Sequence, residues 1–283
     1  MSSGKTEKTR TENALLAPCL SMNPLKKEFP IFTNQPTLAY LDSAANTFCP
    51  RTVLRAQADY YEKYPANVAR GLYPLSIEAT EKYQAARSAV AEYLEVSPEE
   101  VIFTAGATMS AGMIAHGLRK TLSRGQNILL SRAEHHANFL PWWEVAREIG
   151  AEVRLLELDA DGFADPEDLR RKLDDRSAVL ALTHASNVLG GVNPVKELFT
   201  LAREIAPQII TVLDASQSIA HGPLSLPEAG CDFLFFSGHK VYAPGGTGVL
   251  AGRAEKLRLL SPLLYGGEMV ATVGEKEIVY KDI

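Results

Sequence analysis

A chain of 283 residues, 46% of them hydrophobic, is long enough to bury a large core and to form one or two domains. Its formal net charge of −5 argues against a nucleic-acid or membrane-surface protein, either of which needs a basic patch. Cys19, Cys49 and Cys231 lack CxxC spacing and the histidines are scattered, so neither a disulfide framework nor a metal site is expected, as suits a reducing cytoplasm.

Residues 1–22 begin polar. Their apolar stretch from Ala14 to Leu20 is short for a signal sequence and is broken by Pro18, so a disordered extension is expected, with Met22 as an alternative start. No apolar run reaches the length of a membrane span, and a soluble protein is expected. From residue 23 onward the chain reads as one folded unit.

Helices are expected over 51–64 and 76–94, the second with Tyr83, Ala86, Val90 and Leu94 on one face. "VIFT" (101–104) precedes a helical stretch over 109–122, and "NILLS" (127–131) precedes another over 139–149. "EVRLLEL" (152–158) leads to Asp165-Pro166-Glu167, an N-cap and first-turn signature, and a short helix to 173. "AVLALTH" (178–184) precedes a helix in which Val195, Leu198, Phe199, Ala202 and Ile205 recur at helical spacing. "IITVLDA" (209–215) and "FLFF" (233–236) complete the series. The strand runs are continuously apolar rather than alternating, which marks strands covered on both faces. The expectation is an α/β fold with a mainly parallel sheet sandwiched by helices.

In such sheets ligands bind beyond the carboxyl ends of the strands. Polar clusters follow those ends: Gly106-Ala107-Thr108, Glu134 to Asn138, Ser186 to Gly190, Asp214 to Gln217, and Ser237 to Lys240. Singly each has a plain reading. Thr108 suits an N-cap, Asp214 a turn, and Lys240 a solvated surface. A parallel sheet would set all five along one edge, and together they suit pyridoxal 5'-phosphate. Lys240 supplies an amine for a Schiff base, and Asp214 a carboxylate opposite the pyridine nitrogen. Gly106, Ala107 and Thr108 at a helix start, with Ser237 and His239, supply phosphate donors. His135 stacks on the ring or acts as acid and base, while Asn187 and Gln217 bond the ring oxygen or the substrate carboxylate. Neither GxGxxG nor GxxxxGK[ST] occurs, and "PGGTG" (244–248) leads into the strand "GVLAG" as a turn.

"YLDSAAN" (40–46), "ARGLYPLS" (69–76), "EHHANFLPW" (134–142), "HASNVLGGVNP" (184–194), "LDASQS" (213–218) and "FFSGHKVYAPGGTGVL" (235–250) resemble the class V aminotransferase group of enzymes. Within it they most resemble the group II cysteine desulfurases and selenocysteine lyases. The resemblance runs from about residue 25 to 273 and implies the fold type I of pyridoxal-phosphate transferases. It implies that Lys240 carries the cofactor, that Asp214 pairs with the pyridinium, and that His135 stacks on the ring. Ala107, Thr108, Ser237 and His239 would hold the phosphate, and Asn187 and Gln217 would complete the site. Ala44 and Ala45 would lie close to the substrate, and Arg70 near the entrance. The family is homodimeric, so "YGGEMVATV" (265–273) would reach the neighbouring subunit.

There are departures from the family pattern. Ala107-Thr108 stands where two threonines are usual, Met109 replaces an acidic residue, and Ala69 stands where many relatives have histidine. Family members continue into a C-terminal domain with a nucleophilic cysteine and an arginine that clamps the substrate carboxylate. Neither position falls within these residues, so the expectation is an incomplete chain of low turnover by itself, with Cys231 a packing residue. The implied reaction converts L-cysteine to L-alanine and passes sulfur, as a persulfide, to an acceptor protein for iron–sulfur assembly in the cytoplasm. Selenocysteine lyase action on L-selenocysteine, kynureninase-like cleavage, transamination and a non-catalytic cofactor-binding remnant are the alternatives.

Overall fold

A computed structural model of the chain describes residues 24–267 and 269–281. The extension expected over 1–22, with Cys19, lies outside the described residues. Helices α1 (Ile31–Asn34), α2 (Arg51–Lys63) and α3 (Pro74–Leu94) precede the main sheet. Pro74 sits in the first turn of α3, where its missing N–H costs no hydrogen bond, and the helix therefore starts before residue 76.

A seven-stranded sheet follows, built from β1 (Val101–Thr104), β2 (Asn127–Ser131), β3 (Glu152–Leu156), β4 (Ser177–Thr183), β5 (Ile210–Asp214), β6 (Phe233–Ser237) and β7 (Gly248–Gly252). The order is β1-β7-β6-β5-β4-β2-β3, and every strand runs the same way except β7, which is antiparallel to both neighbours. The turn expected at "PGGTG" makes that reversal, with Gly246 at φ 80°. Crossovers run through α4 (Ala107–Leu118), α5 (His136–Ile149), α6 (Pro166–Lys172) and α7 (Val195–Ile205). Two short helices, α8 (Leu226–Ala229) and α9 (Ala254–Leu257), flank β6 and β7 in sequence. A separate hairpin of β8 (Val270–Val273) and β9 (Ile278–Tyr280) lies outside the main sheet.

Continuous apolar strands are explained by two cores, one on each face. Leu129, Leu180, Leu182, Leu213, Leu234 and Phe236 pack with Leu169, Leu198, Phe199 and Ala202 on one side. Their sequence neighbours Ile128, Leu130, Val179, Ala181, Val212 and Phe235 pack with Ile114, Leu118, Trp142 and Val145 on the other. Successive strand residues face opposite ways, so both sets must be apolar.

Two helices differ from the sequence expectation for local reasons. Helix α5 begins at His136 rather than 139, because the His135 imidazole accepts the Ala137 N–H at 3.1 Å and caps it. Helix α4 ends at Leu118 rather than 122. There the Thr121 N–H and hydroxyl each donate to the Leu118 carbonyl at 2.8 Å, a local bonding pattern that competes with helix continuation.

Phe235 lies fully buried in the middle of β6, the strand that leads into the turn carrying Lys240. Phe235→Ala is expected to destabilise the fold by about 3–5 kcal/mol, through lost transfer energy and the cavity left behind. Urea denaturation followed by circular dichroism checks this, with an unchanged midpoint as the contrary result.

Candidate active site

Because only β7 is reversed, β1, β2, β4, β5 and β6 deliver their carboxyl ends to one edge. A cavity of about 350 Å³ lies there, lined by Ala44, Ala45, Ala107, Thr108, His135, Asn187, Asp214, Gln217, Ser237, His239 and Lys240. Ala137, Thr183, Ala185 and Ser216 complete the lining, and of the site residues expected from the sequence only Gly106 and Arg70 fall outside it. Arg70 is exposed on the turn before α3 and does not line the cavity; its guanidinium lies against Gly267.

Lys240 ends a single 3₁₀ turn, Gly238 to Lys240, directly after β6. That turn is fastened from a distant part of the chain. The Thr47 N–H and hydroxyl both donate to the His239 carbonyl at 2.8 Å, and the Thr47 hydroxyl accepts the Tyr242 N–H at 2.8 Å. Tyr242 is held at φ 68°, a left-handed conformation that costs a non-glycine residue energy and persists only where its surroundings impose it. Burial lowers the pKa of Lys240, with the opposing pull of Asp214 the smaller influence. A larger neutral fraction makes the amine a better nucleophile toward a carbonyl. His239 is likewise held below its ordinary value, by burial first and then by the Lys240 charge.

Asp214 closes β5 and is buried, at 4% exposure. Burial raises its pKa, against the lowering effect of its Ser216 contacts and of the Lys240 and His135 charges. Its Oδ1 accepts the Ser216 N–H at 2.9 Å. The Ser216 hydroxyl beside it is buried, near enough to the Asp214 carboxyl group to lower its pKa but without a hydrogen bond of good geometry, and Ser216 lines the cavity. Both features are those of a polar site short of a ligand, since buried polar groups are ordinarily paired. Because His135 Nδ1 accepts from Ala137, it is the Nε2 atom that carries the proton of the neutral ring.

The opposite end of the cavity is built by backbone proximity. Ser237 pairs with Gly248, and a Cβ on Gly248 would lie 2.5 Å from the Gly106 Cα, so the start of α4 can press against β7 only if residue 248 is glycine. The Ala107 N–H donates to Ser237 Oγ at 2.8 Å, which leaves the serine's own hydrogen for an anion at the helix start. Gln217 donates to the Ala44 carbonyl at 2.8 Å, so this side chain also fixes the segment that forms the cavity wall. Cys231 is fully buried and burial pushes its thiol up to about 12, as suits packing rather than reaction.

Sequence reasoning assigned no role to Thr47, Thr183, Ser216 or Glu134. The first acts across 192 positions of chain and leaves no local signature. Glu134 did leave one, a carboxyl residue three positions beyond the end of an apolar strand.

Comparison with known proteins bears on what this edge is for. The aminotransferase class-V family model matches residues 39–283. A probable cysteine desulfurase of Pseudomonas aeruginosa is 43% identical over 258 residues, 90% of this chain and 64% of the relative. One of Halalkalibacterium halodurans is 38% identical over 269 residues, 93% and 66% of the two chains. Among solved structures, the apo cysteine desulfurase of Thermococcus onnurineus superposes with a TM-score of 0.85 at 34% identity, over 91% of this chain and 63% of that one. The S-sulfonic acid form of the cysteine desulfurase CsdA from Escherichia coli gives 0.82 at 36%, over 91% and 64%. SspA in complex with cysteine gives 0.75 at 28%, over 81% and 65%. The fold is thus that of the type I pyridoxal-phosphate transferases, and the chain belongs to the aminotransferase class-V family. It spans about two thirds of the length of these relatives, 64% and 66% for the two quoted. Enzymes of this family are generally pyridoxal-phosphate dependent.

Thr47→Val keeps the side-chain shape and the backbone N–H bond to the His239 carbonyl, but removes that carbonyl's second donor and leaves the Tyr242 N–H without its partner. A loss of about 1–3 kcal/mol is expected, from the desolvation cost of the group left unpaired. Guanidinium unfolding of the variant against the native chain measures it, and equal midpoints would show that the clasp contributes nothing.

Proposed function

We propose that this chain binds pyridoxal 5'-phosphate through Lys240 and carries the cofactor site of a cysteine desulfurase. The observation that carries the reading is the convergence of Lys240, Asp214 and His135 on one cavity whose far end is the start of α4. The residues fit the cofactor on structural grounds. The unpartnered Ser216 hydroxyl, the raised Asp214 and the contact between Gly106 and Gly248 together supply a ring-binding end and an anion-binding end.

Bound there, pyridoxal 5'-phosphate supplies an electron sink for negative charge developing at the α-carbon of an amino acid. Asp214 would hold a proton at the pyridine nitrogen, and its burial makes that ion pair strong. Ser237, Thr108 and the start of α4 would hold the phosphate. Lys240 is placed to bond the aldehyde and, once a substrate amine displaces it, to move the proton at the α-carbon. The His135 imidazole, fixed by Ala137, would cover one face of the ring and offer its Nε2 proton. Ala44 and Ala45 have small side chains and leave space for a substrate.

Cysteine as substrate is supported by the relatives named cysteine desulfurase and by the structural relative held in complex with cysteine. The products would be L-alanine and one sulfur atom, passed to an acceptor thiol. Neither described cysteine, Cys49 nor Cys231, lines the cavity. The acceptor thiol therefore comes from outside the cavity-lining set. A homodimer is part of the same reading. The large exposure of Leu72, Val188, Leu264 and Val273, between 71% and 97%, supports it because such apolar side chains gain from cover. Among the described residues no helix is long and apolar enough to cross a membrane, which suits a cytoplasmic setting.

Purified protein mixed with the cofactor is expected to develop a visible absorbance band that Lys240→Ala lacks. Alanine release from cysteine, supplied with a thiol acceptor, is expected to fall at least about a hundredfold in the same variant, the scale typical of a lost catalytic proton transfer. Absence of the band in the native chain would overturn the reading, and preferential release from selenocysteine would reassign the substrate.

A further inference from the structure

Glu134 is a buried acid to which the proposed chemistry gives no task. It is 8% exposed and sits between β2 and α5, immediately before His135. Its carboxyl group joins three elements. Oε1 accepts the Ser131 hydroxyl at 2.6 Å from the end of β2 and the Thr183 N–H at 2.8 Å from the end of β4. Oε2 accepts the Asn138 side-chain amide at 2.6 Å from the first turn of α5. Thr183 is in turn the register partner of Asp214 on β5. The carboxyl group therefore spans from the turn that carries His135 to the strand beside Asp214, which are the two residues proposed to meet the ring from different sides.

We propose that Glu134 is a positioning residue of the cofactor site, which sets His135 relative to Asp214 and whose charge tunes the ring environment. The inference rests on the functional reading above. A single side chain that bonds β2, β4 and α5 constrains all three more tightly than packing alone, because each hydrogen bond in a dry site is directional. The hydrogen in the 2.6 Å contact with Ser131 can reside on either oxygen, so the junction keeps its geometry whether Glu134 is ionised or neutral. What changes with its proton is charge close to Asp214.

Burial raises Glu134 to about 7, and the Asp214 charge adds to the effect, while the Ser131, Thr183 and Asn138 hydrogen bonds work against it. Among the neighbouring titratable groups, Asp214 is the one that acts on it from β5. His135 and His136 lie on its own turn, His184 follows Thr183 on β4, and Lys240 and His239 stand across the cavity at the end of β6. A carboxyl group whose value is raised on folding stabilises the folded state most at low pH. That contribution is lost as pH rises from the unfolded value, 4.5, through about 7.

The test compares the native chain with Glu134→Gln and Ser131→Ala. Cofactor affinity is read from the visible band, the band's pH midpoint is titrated, and thermal melting of the cofactor-free chain is followed across pH. Glu134→Gln is expected to weaken cofactor binding by about five- to tenfold, because a donor now faces donors. It is expected to move the band's midpoint acidward, because a negative charge that favours the protonated form is gone. It is also expected to flatten the fall in melting temperature as pH rises toward 7. Ser131→Ala keeps the carboxyl group but removes a donor to its ionised form, so its midpoint moves the same way by a smaller amount. It serves as the deciding variant if Glu134→Gln fails to fold. Affinities within twofold of native and an unmoved midpoint would overturn the proposal for Glu134. A native chain that takes up no cofactor would instead overturn the functional reading, and an unflattened melting profile would then count against the Glu134 proton by itself.

Discussion

The constraint on which the rest depends is that the sheet is covered on both faces. Once Ile128 and Leu129, or Phe235 and Phe236, are committed to opposite cores, a strand has no room for polar side chains along its length. Polarity is pushed to the strand ends. The parallel arrangement then gathers the carboxyl ends of five chemistry-bearing strands on one side of the molecule, and the crossover helices start there with unpaired N–H groups. An edge suited to an anionic ligand follows from sheet topology before any catalytic residue is considered. The single reversed strand completes it. By running β7 back between β6 and β1, the "PGGTG" turn sets Gly248 against Gly106 and brings Ser237 to the start of α4.

Rigidity at that edge comes from the segment around residues 42–48, which is outside the sheet. Thr47 grips the carbonyl next to Lys240, and Gln217 reaches the carbonyl of Ala44 from the loop after Asp214. The turn that carries Lys240 and the loop after Asp214 are thereby tied through one strap, although they follow different strands. A lysine on a flexible four-carbon stem gains most from such backbone anchoring, since a fixed root limits the volume its amine explores. The left-handed Tyr242 is a local cost of closing this turn, offset by the bonds that converge on Thr47.

Much of this was legible in the sequence because its cause is local. Continuous apolar runs of four to seven residues marked β1, β2 and β4 to within one residue of their bounds, since two-sided burial is written into every position. The clusters after those runs supplied the cavity lining for the same reason. Arg70, expected near the entrance, is exposed on the turn before α3 and outside the cavity lining. What was not legible is what depends on distant partners. Nothing near Thr47 announces His239, and nothing near Thr183 announces Glu134. The early start of α5 was hidden because histidine is an unusual N-cap, and the shape of its ring bond to Ala137 cannot be read from periodicity. The antiparallel sense of β7 was equally invisible, since a turn alone does not say which neighbours the returning strand will choose.

The two ends of the same strands treat carboxyl groups in opposite ways. At the amino edge, burial alone would raise Asp174, yet hydrogen bonds from Asn127, Arg154 and Arg176 hold it well below the ordinary carboxylate range. Asp232 at that edge is 2% exposed and accepts the Thr211 N–H and hydroxyl with Arg203 alongside. These charges are compensated within the chain and serve to close the fold. At the carboxyl edge Asp214 and Glu134 are both pushed upward by burial, and the buried Ser216 hydroxyl and His184 Nδ1 lack partners. A sequence under no demand but folding would pair or remove such groups, because each unpaired one costs about 1–3 kcal/mol. Asp214 and the Ser216 hydroxyl line the cavity that holds Lys240, opposite an edge whose buried carboxylates are paired within the chain, and that contrast is the mark of a site shaped for a ligand that completes it.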